Sequence, residues 1–326
     1  MATLEVIPLS HHQSAGELVL VESFDRVQAY IDNARARNTI RGYRSDWKQF
    51  EAWCFASALC ARPADPKTIA RYLSDQAGRL KASTLEHHLS AIGKAHKAAG
   101  LSSPVKDSML IAETLKGIKR VHGTAPNQKA PVLTEDLRLM LRHTPTGAIG
   151  LRDRALLLVG FAGAFRRSEL VSLDRPDLAF TSEGLLITLR RSKTDQEGHG
   201  RQIALPFGSN PPTCPVTAMR AWLEAAAITE GPVFRSIQKG GRVHAKRLSD
   251  KGVALIVKRY AAAAGLDAAT FSGHSLRAGL VTSAARAGVP ERVIMRQTGH
   301  KSIDMVLKYV RQANAFSENA VNAIGL

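Results

Sequence analysis

Residues 271–309 read FSGHSLRAGLVTSAARAGVPERVIMRQTGHKSIDMVLKY. Within this stretch Gly273-His274-Ser275-Leu276-Arg277-Ala278-Gly279 is followed by Thr298-Gly299-His300 and, nine residues after His300, by Tyr309. His274 and Arg277 are three apart, so on a helix their side chains share a face. Further upstream, Phe165-Arg166-Arg167-Ser168-Glu169-Leu170 follows the apolar run DRALLLVGFAG at 153–163, and Arg191-Ser192-Lys193-Thr194 lies between the two regions. Each piece alone has a bland reading as a surface pair, a turn, a core aromatic or a charged helix start. Their joint presence, in this order and in a basic chain, calls for a shared purpose.

The residue types fit the cleavage of a phosphodiester. Such a reaction needs cations around the nonbridging oxygens, a nucleophile, and an acid for the departing oxygen. Arginine forks match phosphate oxygens and stay charged at any working pH, which suits Arg166 and Arg277 to the first task. Glu169, three residues after Arg166, is placed to hold that guanidinium. A tyrosine forms covalent intermediates but is a weak nucleophile until a base or cation assists it, and His274, His300 and the arginines are candidates for that help. Lys193, on a flexible stem, suits delivery of a proton to the leaving oxygen. No carboxylate cluster or Cys/His set points to a metal, so none is expected, and no cofactor either.

Charge agrees with this chemistry. The chain has 326 residues and a net charge of +17, with basic residues spread along most of its length. A long basic surface favours a polyanionic partner, with duplex DNA ahead of RNA or an acidic membrane surface. Three scattered cysteines, Cys54, Cys60 and Cys214, make neither a disulfide framework nor a zinc site. There is no long apolar run for a membrane span, and the first twenty residues contain no Lys or Arg to begin a secretory signal. A cytoplasmic, nucleoid-associated protein is expected.

Working outward, the length allows two domains. Residues 1–21 read as a flexible lead-in, 22–121 as a helical domain, 122–131 (Pro- and Gly-rich) as a linker, and 132–326 as a second domain. In the first, helices are expected from near Ser23, from Thr39 to Ala56, from Asp65-Pro66, from Ser83 with Glu86 as a capping box, and after Asp107. Arg41, Arg44 and Lys48 lie beside the apolar stripe Ile40, Tyr43, Trp47, Phe50 and Cys54. His87, Ser90, Lys94 and Lys97 form a polar face opposite Leu85, Leu89, Ile92 and Ala99. These two faces are the candidate DNA contacts, with Arg167 as a further contact to a backbone phosphate. In the second domain Thr134 reads as a helix cap, 153–163 as a buried helix, and 185–190 with 202–206 as a small hairpin. The remainder after Pro215 reads as mainly helical. The fold expected is therefore mainly α with a small β-sheet or hairpin in the second domain.

Over residues 22 to 326 the chain resembles the tyrosine recombinase (phage integrase) family, in particular its two-domain Xer and Cre members. The resemblance rests on Arg166-x-x-Glu169, the hairpin Lys193, His274-x-x-Arg277, His300 and Tyr309. It implies a helical core-binding domain followed by a catalytic domain, with Arg166, Lys193, His274, Arg277, His300 and Tyr309 catalytic and Glu169 beside them. Two arginines stand where the family usually has one, and Arg166 is assigned because Glu169 follows it at the family spacing. The resemblance further implies a 3′-phosphotyrosyl intermediate, strand exchange between two sites through a Holliday junction, and a homotetramer on synapsed DNA joined by a C-terminal helix at 315–326. Alternatives at this point are a type IB topoisomerase-like relaxing enzyme, a catalytically silent DNA-binding protein, and an RNA-binding protein supported by charge alone.

Overall fold

The computed structural model describes residues 37–125, 129–190, 195, 200–238, 240–313 and 320–324. The lead-in at 1–21, the helix expected near Ser23, Lys193 and all but 320–324 of the expected C-terminal helix at 315–326 lie outside these residues. The chain divides into two compact units, Met1–Pro126 and Asn127–Leu326.

In the first unit, helices α1 (Arg37–Ala56), α2 (Pro66–Gln76), α3 (Ala82–Ala98) and α4 (Met109–His122) surround one core. Asp65 caps α2 through its carboxylate, which accepts from the Lys67 amide at 2.7 Å, and Pro66 opens the first turn. Phe50 and Cys54 of the α1 stripe are fully buried with Ile69, Leu73, Leu85 and Ile92, whereas Ile40, Tyr43 and Trp47 are half-buried. Full burial of each such aliphatic side chain contributes roughly 1.5–3 kcal/mol.

Two expectations fail here. The capping box at Ser83 does not form: α3 starts one residue earlier, Lys81 precedes it without a side-chain cap, and Glu86 instead accepts from Lys119 of α4 at 2.6 Å. A cross-helix partner thus wins over the local backbone. Ala99 lies past the end of α3 and is exposed, while His88 and His96 are buried in that helix. Both are satisfied, which makes burial tolerable: His88 pairs with the Tyr72 hydroxyl at 2.7 Å, and His96 Nε2 accepts from the Ala64 amide at 2.9 Å.

The second unit opens with α5 (Thr134–Arg142) and α6 (Ala148–Ala162), then α7 (Arg167–Ser172). Thr134 is inside α5; Leu133 precedes the helix, and Asp136 accepts from its amide at 2.9 Å. The expected threonine cap is therefore absent, and the acidic third position binds the amide ahead of the helix instead. An antiparallel sheet follows in the order β1 (Leu178–Phe180), β2 (Gly184–Leu189), β3 (Arg201–Pro206), with Leu189 opposite Arg201 at the open end of the β2–β3 hairpin.

After α8 (Pro215–Ala225), a second antiparallel pair, β4 (Arg235–Ile237) and β5 (Val243–Arg247), interrupts the stretch expected to be helical. Its strands are short and mixed in polarity, so no period-2 pattern announces them. The remaining helices are α9 (Asp250–Ala263), α10 (Ser275–Arg286), α11 (Glu291–Thr298), α12 (Ile303–Ala313) and the short α13 (Ala320–Ala323). Helix α6 lies at the centre of the core, with Ala155 to Val159 buried.

The segment 129–132 is fastened to the loop before α10. Ala130 and Val132 donate to the carbonyls of Thr270 and Ser275, each at 2.9 Å, and the Lys129 ammonium donates to Ala269 at 2.7 Å. Gly279 on α10 makes this approach possible, because a Cβ there would stand 1.8 Å from the Val132 carbonyl oxygen. The chain is mainly helical, with small antiparallel sheets in its second unit.

Candidate functional site

Four segments of the second unit supply the candidate residues. The turn at Gly163–Phe165, after α6, presents Arg166 just before α7. The start of α10 carries His274 and Arg277. The turn after α11 carries His300, and α12 carries Tyr309. Gly299 takes the left-handed conformation (φ 69°) that ends α11 and releases His300 in a new direction.

Arg166 and Glu169 are joined twice. The carboxylate accepts from the Arg166 amide at 2.9 Å and from its guanidinium, and Glu169 is only 3% exposed. One acidic side chain thus caps α7 and fixes the fork of Arg166. Arg277 is 2% exposed, and its Nη1 donates to the Ala164 carbonyl at 2.7 Å. Burial, and then the charge of Arg166, push its pKa down to about 10, so it stays a cation at neutral pH. Its Nη2 is buried without a hydrogen-bond partner among the described residues. A buried donor left unpaired is costly and marks a place where an acceptor belongs.

The Tyr309 hydroxyl lies 3.4 Å from His274 Nε2. Burial raises the tyrosine's pKa, and the charge of Arg277 opposes that rise. His274 keeps an exposed rim, yet its pKa is lowered by desolvation and then by Arg277, Arg166 and Arg167. A neutral His274 can accept from the phenol.

His300 is pushed down to about 4 by burial and then by the surrounding arginines, Arg277 foremost. Thr298 gives its hydroxyl proton to the Ile294 carbonyl at 2.8 Å, so its oxygen accepts from His300 Nδ1, also at 2.8 Å. That bond selects the tautomer with a bare Nε2. His300 therefore stays neutral in the fold to about pH 4, while the unfolded chain takes up its proton near 6.5. Stability present above pH 6.5 is lost as pH falls through that window. An NMR titration of the free protein should show the His300 ring neutral down to about pH 4; an inflection at the ordinary histidine value would refute the arrangement.

Lys193 lies outside the described residues, as do Arg191, Ser192 and Thr194. Arg167 is not part of the cluster's inner face. Its side chain runs over Gly273, where a Cβ would meet it at 2.1 Å, and its Nη2 is 3.9 Å from Asp250.

Other residues around the site were not marked by the sequence pattern. Gln297 donates from Nε2 to the Ala162 carbonyl at 2.8 Å, tying α11 to the end of α6. Arg201, at the start of β3, donates from Nη1 to the Gln297 carbonyl at 3.0 Å. Among the described residues no cluster of three or more His, Cys, Asp or Glu side chains could hold a metal ion. No helix among them is long and apolar enough to cross a membrane.

In the first unit, Arg41, Arg44 and Lys48 are exposed on α1, and His87, Ser90 and Lys97 are exposed on α3. The two rows meet where His87 stacks on Tyr43 at 4.9 Å and pairs with Asp46. Lys94, half-buried, sits 5.3 Å above the Tyr43 ring. Ser90 returns its hydroxyl to the Glu86 carbonyl at 3.1 Å.

Known proteins resemble the chain over most of its length. The sequence pattern of the Phage integrase family matches residues 132–315. The chain is 45% identical over 296 residues to an integrase/recombinase, a xerD homolog, of Selenomonas ruminantium, covering 90% of this chain and 86% of that one. It is 24% identical to the recombinase cre of Escherichia phage P1, covering 94% and 95%. Its fold is similar to XerH site-specific recombinase bound to palindromic difH substrate in a post-cleavage complex, with a TM-score of 0.58 at 18% identity over 79% of this chain and 74% of that one. It is also similar to a lambda integrase dimer bound to a COC′ core site, with a TM-score of 0.58 at 15% identity over 92% and 82%.

Proposed function

The chain belongs to the phage integrase family of tyrosine recombinases, and from that premise we propose how its own residues divide the work. It is a tyrosine site-specific recombinase, an enzyme that cleaves and rejoins DNA.

Tyr309 is the proposed nucleophile. Its hydroxyl attacks the scissile phosphorus, its proton passes toward His274, and the bond to the 5′ oxygen breaks. Lys193 gives that oxygen its proton. The product is a 3′-phosphotyrosyl link and a free 5′ hydroxyl. In the second step a 5′ hydroxyl from the partner duplex attacks the link and releases Tyr309. Repeated on the other strands, this exchanges two sites through a Holliday junction. The ester bond is conserved throughout, so no external energy source is needed.

Arg166, held by Glu169, and Arg277 neutralise the nonbridging oxygens as charge builds in the transition state. His300 starts neutral, held so by burial and then by the arginines; an incoming anion offsets the arginine charges and lets Nε2, once protonated, donate to the phosphate. The observation that carries the reading is the meeting of the Tyr309 hydroxyl with His274 Nε2 at 3.4 Å, where the Arg277 charge also acts on the phenol.

The test begins with duplexes that the chain selects from a random-sequence library, each then nicked at successive positions along one strand. A nick just 3′ of the scissile bond lets the short fragment that carries the freed 5′ hydroxyl diffuse away and traps the covalent complex. Protease digestion and mass spectrometry should find the nucleotide on Tyr309. Attachment elsewhere, or no complex on any nicked site, rejects the assignment.

For DNA contact, the exposed rows on α1 and α3 support a core-binding role for residues 22–121, joined by 122–131 to a catalytic domain at 132–326. Lys94 and Arg167 are assigned to the same duplex. We further propose that four protomers assemble on two synapsed sites through the segment 315–326. Within its described part, Ile324 is 67% exposed, apolar surface suited to cover by a neighbour. Removing residues 315–326 should leave binding of one duplex within about threefold while synaptic complexes disappear on native gels. Unchanged assembly would end this part of the proposal.

A further inference from the structure

Among the described residues, only two buried side-chain nitrogens lack a hydrogen-bond partner: Nη2 of Arg277 and Nη2 of Arg201. The first belongs to an arginine already assigned to the phosphate. The second belongs to a residue that the motif pattern does not mark. Two orphaned donors in one charged cluster are most simply explained by one missing acceptor, because each carries a desolvation cost that an anion would remove.

The surroundings of Arg201 hold its guanidinium in place. Nη1 donates to the Gln297 carbonyl at 3.0 Å, in the last turn of α11. The plane of the fork lies against Gly299, where a Cβ would stand 3.0 Å from Cζ and from Nη1 and 3.1 Å from Nε. Glycine at 299 thus serves both the left-handed turn and the space for this fork. Arg201 also begins β3, opposite Leu189, so it roots in the hairpin whose loop carries Lys193 and ends beside the turn that carries His300. Its charge acts on Arg277 and His300, and Arg166 and Glu169 act on it in turn. Glu169 is already engaged twice by Arg166. Within the cluster there are more guanidinium groups than carboxylates to neutralise them, which favours binding of an anion.

We propose that Arg201 is a third guanidinium ligand of the scissile phosphate, preorganised by the Gln297 carbonyl and Gly299 and offering Nη2 to a nonbridging oxygen. This rests on the placement of that phosphate among Arg166, Arg277 and Tyr309. Arg201 would neutralise charge during both transesterifications and would link the hairpin and the His300 turn through the substrate itself.

The test uses the full chain on the nicked duplex described above, with the scissile phosphodiester either ordinary or replaced by an uncharged methylphosphonate. Single-turnover formation of the covalent complex is followed for wild type, Arg201→Ala, Arg201→Lys and Tyr309→Phe, with melting temperature and duplex binding measured alongside. On the ordinary substrate Arg201→Ala should slow covalent capture about 100-fold, the scale of losing one oxyanion donor. Binding should change by no more than about threefold, since many other phosphate contacts remain. Arg201→Lys, which keeps the charge but not the fork, should recover part of the loss.

On the methylphosphonate the Arg201→Ala defect should shrink to about tenfold or less, because there is less charge to neutralise. A merely structural role predicts equal defects on both substrates, and that result would overturn the inference. So would a wild-type rate on the ordinary substrate. If Arg201→Ala melts too early to assay, Arg201→Lys carries the same comparison between the two substrates. Covalent capture by Tyr309→Phe would instead overturn the underlying site, so the two failures are distinguishable.

Discussion

Tyr309→Phe should form no covalent complex on the nicked duplex, a loss of at least about 10⁴-fold in strand cleavage, because it removes the attacking oxygen. The expected loss is confined to chemistry. The Tyr309 ring packs against the small cluster of Val281, Ala285, Ile294 and Val306, and phenylalanine can keep every one of those contacts. Among the described residues the hydroxyl makes one long contact, 3.4 Å to His274 Nε2, so the cost to stability should stay under about 1 kcal/mol. Burial raises the phenol's pKa, so the free enzyme holds its nucleophile in the unreactive form until substrate arrives. Duplex binding by gel shift should match wild type. A variant that still captured DNA would show that another side chain attacks; one that lost binding or folding would show that the hydroxyl has a structural task.

Arg277→Ala is expected to have the next largest effect, slowing cleavage by about 10²–10³-fold, or roughly 3–4 kcal/mol of transition-state stabilisation. Arg277 differs from an ordinary buried arginine in having one nitrogen engaged with the Ala164 carbonyl at 2.7 Å and the other without a partner among the described residues. Truncation therefore has two separable consequences. The phosphate loses a donor, and the Ala164 carbonyl loses its partner at a turn where Ala164 itself has φ 48°. The second should lower stability by about 1–3 kcal/mol, visible as a lower melting temperature. Arg277→Lys separates the two, since an ammonium can still reach one acceptor but cannot serve carbonyl and phosphate as a fork. Its melting temperature should recover more than its single-turnover rate. Parallel recovery of both would mean that Arg277 acts only by holding the fold.

Much of this was legible from residue order because chemistry and local geometry coincide. Arg166 and Glu169 are three apart at the start of a helix, and that spacing brings amide, guanidinium and carboxylate together. Asp65-Pro66 opens α2 by side-chain capping, a purely local event. The apolar run after Asp153 forms the buried α6 because no face of it could be solvated.

What escaped the sequence depended on partners far along the chain. Ser83 loses its role because Glu86 finds Lys119. His88 and His96 go unmarked on the apolar side of their helix, where Tyr72 and the Ala64 amide satisfy them in the core. The β4–β5 pair has no alternation to read, and its strands pair irregularly between Arg235 and Ile237. Arg201 looks like any arginine at the edge of a strand. Only the fold sets it apart, by laying it across Gly299 and leaving one nitrogen without a partner among the described residues. Lys193 stays where residue order put it, in the family pattern and outside the described residues.

The clasp between residues 129–132 and the segment 269–275 fixes the last stretch of the connecting peptide to the second unit. Two amide bonds and one ammonium bond anchor the connecting peptide immediately ahead of His274 and Arg277. A peptide pinned in this way has no length to spare over residues 129–132, so the span left to bridge the two units is set by the residues that come before Lys129.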